Sequence, residues 1–443
     1  MVFQPFLIKK FIYAASGVFL TVLILMPTIN YIQRNKQTGI LNSELEIFKL
    51  EKKAFGFIGQ STRLGEYDYA SFGNLGLGGN NFLASDTLPT KDKNFLPILT
   101  GEHIFAQYQY EYHGQPLNLT EKEMPVLKRI KGIKSAHSLS EFVPGLDLGL
   151  IKLSFFSDAK IQSMTLIQDK SYGYFIHFNA EEGSLSIYNN WQRWPQSQCI
   201  DQDCLNSQKI EVGEIPSDYN LIEIADDFLK KMGINLKNYD YPFVEDSWKT
   251  SYNFFPEKQN FYIPNNIVVI YPLLIEGKKV FEGNGHPVGI NVSVNIKENK
   301  VTAVNGLFTQ KYESSVYETV TESETILEFA NMGGVFYDFN NKEKEFYQAK
   351  IGNPEFGYFR NWIYQDGQNE EFLIPALIFP IIEYPEIKND RISFHLYKNK
   401  NIVVPLVSEL LEEFVKKEYS RDLIPSPVPL PMIETEIMPF KLP

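Results

Sequence analysis

Polar and apolar residues alternate most clearly in the stretch from Asn265 to Phe308. In the run Gly289–Ile296, isoleucine and valine occupy every second position, and asparagine or serine occupies the positions between. A period of two places one side of a strand against a core and the other side against solvent. The polar residues 297–300 separate this run from the β-prone run Val301–Leu307. The two runs therefore predict an antiparallel hairpin.

Two more pairs of β-prone runs lie earlier in the chain. The first pair is Leu150–Phe156 with Ile161–Ile167, and the second is Gly173–Asn179 with Ser184–Tyr188. The second pair is separated only by Ala-Glu-Glu-Gly, which is typical of a reversal between strands. Both pairs predict hairpins.

Two segments have the periodicity of amphipathic helices, Ser217–Gly233 and Thr321–Gly333. Ser217 is a suitable N-cap, and Thr321 has the spacing of a capping box with Glu324. Each segment ends in Met-Gly and follows a hairpin. The pattern therefore suggests a duplicated unit of one hairpin and one helix that packs on it.

The segment from Phe11 to Ile29 contains no charged residue and approaches the ~20 residues that a helix needs to cross a bilayer. Two lysines precede it, and Tyr31 lies at its far end, as membrane interfaces favour. A cleaved signal peptide is the alternative. No small-x-small cleavage site follows the apolar run, so the pattern favours an uncleaved anchor.

The two cysteines, Cys199 and Cys204, lie in a polar stretch and predict a short-range disulfide. Such a bond is typical of an oxidising compartment. A metal site is the alternative, but two thiolates without a nearby histidine leave it short of ligands. We therefore expect the amino terminus in the cytoplasm and residues 35–443 outside the cell membrane.

Composition favours a β-rich protein and argues against one class of partner. The 34 phenylalanines and 25 tyrosines suit half-buried sheet surfaces. The net charge of −12 argues against nucleic acid as a partner, because few cations are free to neutralise phosphates. The predicted fold class is α+β, with an N-terminal transmembrane helix followed by antiparallel-sheet domains with packed helices.

Five sections are expected along the chain. Their predicted contents, in order, are a cytoplasmic stub with the membrane anchor (1–35), a stalk with a β-rich region (36–145), an α+β core with two hairpin–helix units (146–335), a β-rich region with a terminal helix (336–423) and a proline-rich tail (424–443).

Three tyrosines form the only candidate ligand-facing group. Tyr108, Tyr110 and Tyr112 share one side of a predicted strand, where they either contact a sugar or peptide or simply cover a core. The six histidines form no metal-binding pattern, and no nucleophile motif is present in the sequence. We therefore predict no catalytic residue, no metal ligand and no cofactor site.

The segment Ser217–Leu307 resembles PepSY-type domains, which are small extracytoplasmic α+β modules with a helix packed on a hairpin. The resemblance is carried by the helix ending in Lys-Lys-Met-Gly and by the strands GINVSVNIKENKVTAV. The turn 297–300 departs from the Asp-x-x-x-Gly turn common in that family. Membrane-anchored regulators of the YycH/YycI type are similar in combining one span with such modules. The resemblance implies binding or regulation and transfers no functional residue.

Three functional hypotheses follow. The first is a single-pass membrane-anchored extracytoplasmic binding or regulatory protein with an envelope protein or peptide as partner. The second is a cell-surface hydrolase acting on cell-wall or glycan substrate, which needs two carboxyl groups roughly 5–10 Å apart in a cleft. The third is a structural envelope component, which would self-assemble.

Overall fold

The computed structural model describes residues 45–59, 105–132, 162–195, 209–254, 258, 261–336, 344–365, 368–385 and 399–421. Within these ranges the chain forms seventeen β-strands and four α-helices. The strands are β1 Glu46–Lys49, β2 Phe105–Tyr112, β3 Glu123–Arg129, β4 Ser163–Ile167, β5 Tyr174–Asn179, β6 Ser184–Asn189, β7 Phe243–Val244, β8 Asn266–Pro272, β9 Leu274–Ile275, β10 Lys278–Phe281, β11 Gly289–Asn295, β12 Lys300–Phe308, β13 Lys311–Glu318, β14 Lys344–Ile351, β15 Glu355–Gln365, β16 Gln368–Glu383 and β17 Asn401–Pro405. The helices are α1 Asp218–Lys231, α2 Ser247–Phe254, α3 Ser323–Met332 and α4 Ser408–Arg421.

Seven of the strands form a sheet in the order β4-β5-β6-β12-β11-β8-β7, and every neighbouring pair is antiparallel. Helix α1 covers one face of this sheet, with Leu221, Ala225 and Leu229 buried in the core beneath it. The alternation in β11 explains this packing, because Ile290, Val292 and other inward residues meet the helix.

Ten strands form a second sheet with the path β1-β13-β3-β16-β15-β10-β9. Strands β17 and β14 pair with other parts of β16, and β2 pairs with β14. Three of the pairings in this sheet are parallel, namely β1 with β13, β10 with β15, and β2 with β14.

Strand β16 organises the ten-stranded sheet. One of its edges pairs with β3 and then β17, while the other pairs with β15 and then β14. Pro375 lies between the β3 and β17 sections, and Pro380 lies between the β15 and β14 sections of the opposite edge. Proline has no N–H to donate, so it is tolerated where a strand changes partner. The apolar run of β16 is buried from Phe372 to Phe379, whereas Ile382 near its end is exposed.

The two sheets meet at short connections of the chain. The chain passes from β8 to β9 through Leu273, and from β12 to β13 through Thr309 and Gln310. An apolar cluster fills this region, made of Leu127, Leu273, Ile275, Val280, Val288, Tyr312, Tyr358 and Leu373.

The predicted fold class is wrong. The described chain is dominated by two β-sheets, with seventeen strands against four α-helices, and the larger sheet mixes parallel with antiparallel pairs. None of the helices in the described ranges is long and apolar enough to cross a membrane. The predicted transmembrane segment 11–29 itself lies outside the described residues.

The predicted hairpin–helix repeat is also wrong. The hairpins β5–β6 and β11–β12 lie in one sheet, where β6 pairs directly with β12. Helix α1 packs on this sheet, whereas α3 packs against β2 and β17 of the other sheet. The reason is the crossing from β12 to β13, which carries the chain into the ten-stranded sheet before α3 begins.

Candidate functional site

The three predicted ligand-facing tyrosines lie on β2. Tyr108 is half-buried, and its ring meets the ring of Tyr384 edge-on at 4.9 Å between centroids. The ring of Tyr110 lies 6.4 Å from that of Tyr108. Burial raises the pKa of Tyr108, Tyr110 and Tyr384 above the usual tyrosine value. We call Tyr108, Tyr110 and Tyr384 the tyrosine cluster.

Tyr112 is held in place by its own contacts. Its hydroxyl donates to the carbonyl oxygen of Gln115 at 2.5 Å, and its ring meets Phe379 edge-on at 5.8 Å. Tyr110 and Tyr112 pack against the apolar core around α3, so part of the stripe covers a core. Ligand binding by the three tyrosines stays a prediction.

The other predicted groups are dispersed or lie outside the described residues. Cys199 and Cys204 lie outside them, so their disulfide stays a prediction. His177 shares a hydrogen bond of 3.1 Å with Thr165 on β4. Burial lowers the pKa of His286, which lies in the turn after β10. In the described ranges, no three histidine, cysteine or carboxylate side chains converge in a metal-binding group.

The most concentrated group of charges lies where the two sheets meet. Arg129 is the last residue of β3 and points to the same side as Leu127 of the inter-sheet apolar cluster. Glu371 lies on β16, one position before the buried apolar run of that strand. Their side chains are only 4% and 3% exposed, and Arg129 Nε donates to Glu371 Oε2 at 2.5 Å.

The same arginine reaches across to the seven-stranded sheet. Arg129 Nη1 donates to the backbone oxygen of Glu182 at 2.8 Å, and Nη2 donates to its carboxylate at 3.1 Å. Glu182 belongs to the turn between β5 and β6. Lys131 Nζ donates to the other oxygen of that carboxylate at 2.9 Å. One guanidinium therefore joins carboxylates from both sheets.

A second arginine extends the network along β15. Arg360 forms a hydrogen-bonded ion pair with Glu282, which follows β10. The ring of Trp362 lies 5.7 Å from the Arg360 guanidinium and 5.5 Å from Lys131 Nζ. We call the six charged residues the junction cluster: Arg129, Lys131, Glu182, Glu282, Arg360 and Glu371. Three cations face three carboxylates, so the junction cluster has no net formal charge.

Electrostatics within the junction cluster favour the charged forms of both arginines. Burial acts to lower the pKa of Arg129, but the carboxylate of Glu371 and its hydrogen bond raise it above the usual value. Burial likewise acts to lower the pKa of Arg360, and Glu282 and Glu371 raise it. Such pairs are strong because few water molecules screen them, and removing one partner leaves a buried charge behind.

The tyrosine beside this network has a buried hydroxyl without a partner. Tyr312 is fully buried, and its hydroxyl has no hydrogen-bond partner among the described residues. Burial raises the pKa of Tyr312 well above its usual value, as does the nearby Glu371. By contrast, the hydroxyl of Tyr317 accepts from the N–H of Phe55 and donates to the oxygen of Gly56.

The two tyrosines on β13 predict opposite effects of removing a hydroxyl. Tyr312→Phe is expected to leave the free energy of unfolding unchanged or to raise it by up to ~1 kcal/mol, because no hydrogen bond is lost. Tyr317→Phe is expected to lower it by ~1–2 kcal/mol, because two hydrogen bonds are lost. Urea unfolding measures both. A larger loss of unfolding free energy for Tyr312→Phe than for Tyr317→Phe would contradict these hydrogen-bond assignments of the two hydroxyl groups.

The junction cluster is suited to holding two sheets in one orientation. Glu182 and Glu371 are the carboxylates that converge there, and the guanidinium of Arg129 binds both. A glycosidase pair needs room between its carboxylates for the sugar, and here the arginine occupies that room. The arrangement is that of an ion-pair network that holds the two sheets together.

Sequence reasoning did not find the junction cluster. It placed Glu182 only in the reversal between two strands, and it did not single out Glu371. The sequence carries little signal for Arg129, because residues 123–129 do not alternate and the burial of this arginine is visible only in the structure.

Comparisons with known proteins add two structural likenesses. No known protein family matches the chain, and no curated protein sequence matches it. A crystal structure of an uncharacterized protein from Eubacterium rectale is similar with a TM-score of 0.28 and 9% identity, covering 67% of this chain and 87% of that one. The Bacillus megaterium YpeB C-terminal domain is similar with a TM-score of 0.21 and 11% identity, covering 55% and 89%.

Proposed function

We propose that this protein is a non-catalytic binding or regulatory protein of a bacterial envelope. Residues 11–29 anchor it in the cell membrane, and the bulk of the chain lies outside the cytoplasm, where it contacts an envelope protein or peptide. The observation that carries the proposal is the attachment of residues 45–59, which we call the arm, to the ten-stranded sheet.

The arm is fastened along the whole length of β13. Strand β1 pairs with the start of β13 in parallel, and the N–H of Leu50 donates to Ser314 at 2.7 Å. The hydroxyl of Ser315 donates to the oxygen of Glu51 at 2.6 Å, and the N–H of Lys53 donates to Val316 at 3.1 Å. The segment nearest to the proposed anchor is therefore part of the sheet.

The end of the arm connects β13 to the last helix. Ile58 is 1% exposed, and its N–H donates to Glu409 of α4 at 2.8 Å. The ring of Phe55 stacks on Tyr317 at 6.3 Å and meets Phe372 edge-on at 5.6 Å. The arm therefore contacts β16 and α4 as well as β13.

The distance from the membrane supports the same role. Residues 30–44 separate the proposed anchor from the arm, and a chain of that length spans at most about 50 Å when fully extended. The ten-stranded sheet therefore stays close to the membrane surface. A short tether suits a protein that contacts other proteins of the same membrane.

The tyrosine cluster is the surface that we assign to the partner. Tyr108 and Tyr384 are both partly exposed, and their rings pack edge-on against each other. Tyrosines give contact area at low entropic cost, which is why they are enriched at protein interfaces.

Membrane attachment is tested by comparing the full chain with a chain that lacks residues 1–29. The full chain is expected in the carbonate-washed membrane pellet and the shortened chain in the soluble fraction. A membrane-impermeant maleimide is expected to label Cys199 and Cys204 in intact cells only after reduction. Recovery of the full chain in the soluble fraction, or labelling only in lysed cells, would contradict the proposal.

Partner contact is tested by photo-crosslinking in intact cells. A photoreactive phenylalanine derivative at position 108 is expected to give one reproducible product with an envelope protein. The matched control carries the same group at Tyr241, which is 90% exposed and lies next to β7 of the other sheet. The same products from both positions, or no product from position 108, would contradict the assignment of the tyrosine cluster.

A further inference from the structure

An apolar, proline-rich stretch follows helix α4 in the sequence and lies outside the described residues. Residues 424–433 read Ile-Pro-Ser-Pro-Val-Pro-Leu-Pro-Met-Ile, and Ser426 is the one polar side chain among them. Proline fixes φ and lacks an N–H, so prolines at alternate positions predict a polyproline II conformation without internal hydrogen bonds. Such a chain buries its apolar side chains only by docking on a surface. We call residues 424–433 the proline segment.

The proline segment starts close to a helix that is packed on the ten-stranded sheet. Helix α4 ends at Arg421, three positions before the segment. The side chains of Leu410 and Leu411 are buried, and the ring of Phe414 lies 6.0 Å from that of Phe329 on α3. The first turns of α4 are therefore attached to the sheet and to α3.

The tyrosine cluster lies on the face of the sheet that α3 and α4 cover. Tyr110 and Phe414 pack against the same apolar cluster, which contains Phe329 of α3. The ring of Tyr108 lies 6.4 Å from that of Tyr110. Helix residues 415–421 carry the chain at most ~10 Å away from this apolar cluster, whereas ten residues of polyproline II span ~31 Å. The proline segment is therefore long enough to return to the tyrosines.

The surface around the tyrosine cluster is rich in aromatic rings. Tyr347 lies beside Tyr108 in the parallel pairing of β14 with β2, and it is also half-buried. Alternation turns Lys350 to the opposite face of the sheet, where it forms an ion pair of 2.8 Å with Glu383. Aromatic-lined surfaces are the ones that polyproline II segments recognise. An uncharged segment that carries four prolines fits this chemistry.

We propose that the proline segment docks on the tyrosine cluster of its own chain, so that an envelope partner binds there only after displacing it. The proposal rests on the proposed function, because it takes the tyrosine cluster as the partner surface. Proline rings pack on the tyrosine rings, and the carbonyl oxygens of the extended segment face outward, where tyrosine hydroxyls can donate to them. The segment is thus a built-in competitor of the partner.

Covalent attachment favours this segment over one from another molecule. A segment on a short linker reaches an effective concentration of ~1 mM at its docking surface. With an intrinsic Kd of ~0.1 mM it would occupy the tyrosine cluster in about nine of ten molecules, and a competing partner would bind about tenfold more weakly. Weakening the docked segment is therefore expected to strengthen partner binding by up to about tenfold.

Photo-crosslinking of the purified full chain tests the docking in the absence of a partner. A photoreactive phenylalanine derivative at position 108 is expected to attach to the proline segment. Trypsin cleaves after Arg421 and Lys441 and nowhere between them, so mass spectrometry detects residues 422–441 as one attached peptide. The same group at Tyr241 is the matched control and is expected to give at least about tenfold less of this product.

Three results of this crosslinking experiment would overturn the proposal. They are the absence of the attached peptide at position 108, equal amounts of it from both positions, and a product formed only between two chains. A mixture of isotopically heavy and light chains identifies the last result, because only a product between two chains combines both isotopes.

Substitution within the proline segment tests whether it competes with the partner. Replacing Pro427, Pro429 and Pro431 together with serine removes three rings and the restricted backbone. The internal product is expected to fall about tenfold, and the partner product at position 108 in intact cells is expected to rise by up to the same factor. Pro439→Ser, beyond the segment, is the matched control and is expected to change neither product.

The two experiments separate this proposal from the proposed function. An internal product together with a partner product that rises in the triple variant supports docking and competition. An internal product without any partner product supports docking and contradicts the partner assignment. A partner product without an internal product, or one that the triple variant leaves unchanged, overturns the competition and leaves the proposed binding function standing.

Discussion

Replacing Arg129 with alanine is expected to lower the free energy of unfolding by ~3–5 kcal/mol, because the Glu371 carboxylate stays buried without its partner. Glu371 is 3% exposed, and water cannot replace the lost hydrogen bonds without opening the contact between the sheets. Glu182 loses two hydrogen bonds in the same variant, although Lys131 still holds it.

The neighbouring residue supplies a matched control. Lys128 precedes Arg129 and forms an ion pair of 3.5 Å with Glu370 on the other face of the strand, where both side chains are partly exposed. Lys128→Ala is expected to cost less than ~1 kcal/mol, because water screens exposed pairs. Urea unfolding followed by tryptophan fluorescence compares the two variants. An equal loss from both would contradict a special role for Arg129.

A double variant separates a lost charge partner from a lost fold. Arg129→Met combined with Glu371→Leu removes both charges and fills the same space with apolar atoms. It is expected to recover most of the stability that Arg129→Ala loses, as replacements of buried ion pairs often do. A double variant no more stable than Arg129→Ala would show that the ion pair is not the cause of the loss.

Replacing Gly306 with alanine is expected to lower the free energy of unfolding by ~3–5 kcal/mol, through backbone strain and overpacking together. Gly306 has φ +81°, and a Cβ atom there would lie 2.0 Å from the carbonyl oxygen of Gly289. The residue lies in the irregularity of β12 between Val304 and Leu307, where the pairing with β6 shifts register. Neither strand can move away, because each is held by a neighbour on its other side.

Gly277 is the control for the conformational part of this effect. Its φ is +77°, and a Cβ atom there would meet no atom within 4 Å. Gly277→Ala is therefore expected to cost only ~1–2 kcal/mol, the strain of a left-handed alanine. Thermal and urea unfolding measure both variants. Equal losses would mean that the close approach of β12 to Gly289 does not matter.

Local patterns predicted several elements well. Helix α1 runs from Asp218 to Lys231, and the side chain of Ser217 accepts from the N–H of Asn220 as its cap. The hairpins β5–β6 and β11–β12 form as their alternation predicts. Helix α3 also forms, but its N-cap is Glu322 and no side chain caps it. These successes depend on residues within a few positions of one another.

Two segments show where local patterns were insufficient. The mixed polar stretch after residue 30 suggested a stalk, but Glu46–Lys49 is a strand because β13 offers it an edge. The short segment around Pro125 has little pattern of its own, yet it forms β3, which lies between β13 and β16. In both cases the partner strand lies far along the chain, so no local window contains the cause.

The candidate sites were likewise predicted only where they depend on residues close together in the sequence. The sequence placed Tyr108, Tyr110 and Tyr112 on one side of a strand, and they are on β2. It did not indicate that Tyr384 joins them, because that residue arrives through β16 and its pairing with β14. The junction cluster depends even more on distant parts of the chain, since Arg129 and Glu371 are separated by 242 positions.

The sequence by itself determined which segments are strands and helices in much of the chain, where the turns fall and which side of each strand is apolar. Those features follow from periodicity, caps and turn residues within short windows. Only the tertiary structure decided that the hairpins share one sheet, that α3 serves the other sheet, and that buried charges join the two. Strand partners and ion pairs are chosen by register and burial across the whole chain, and a local pattern does not contain that information.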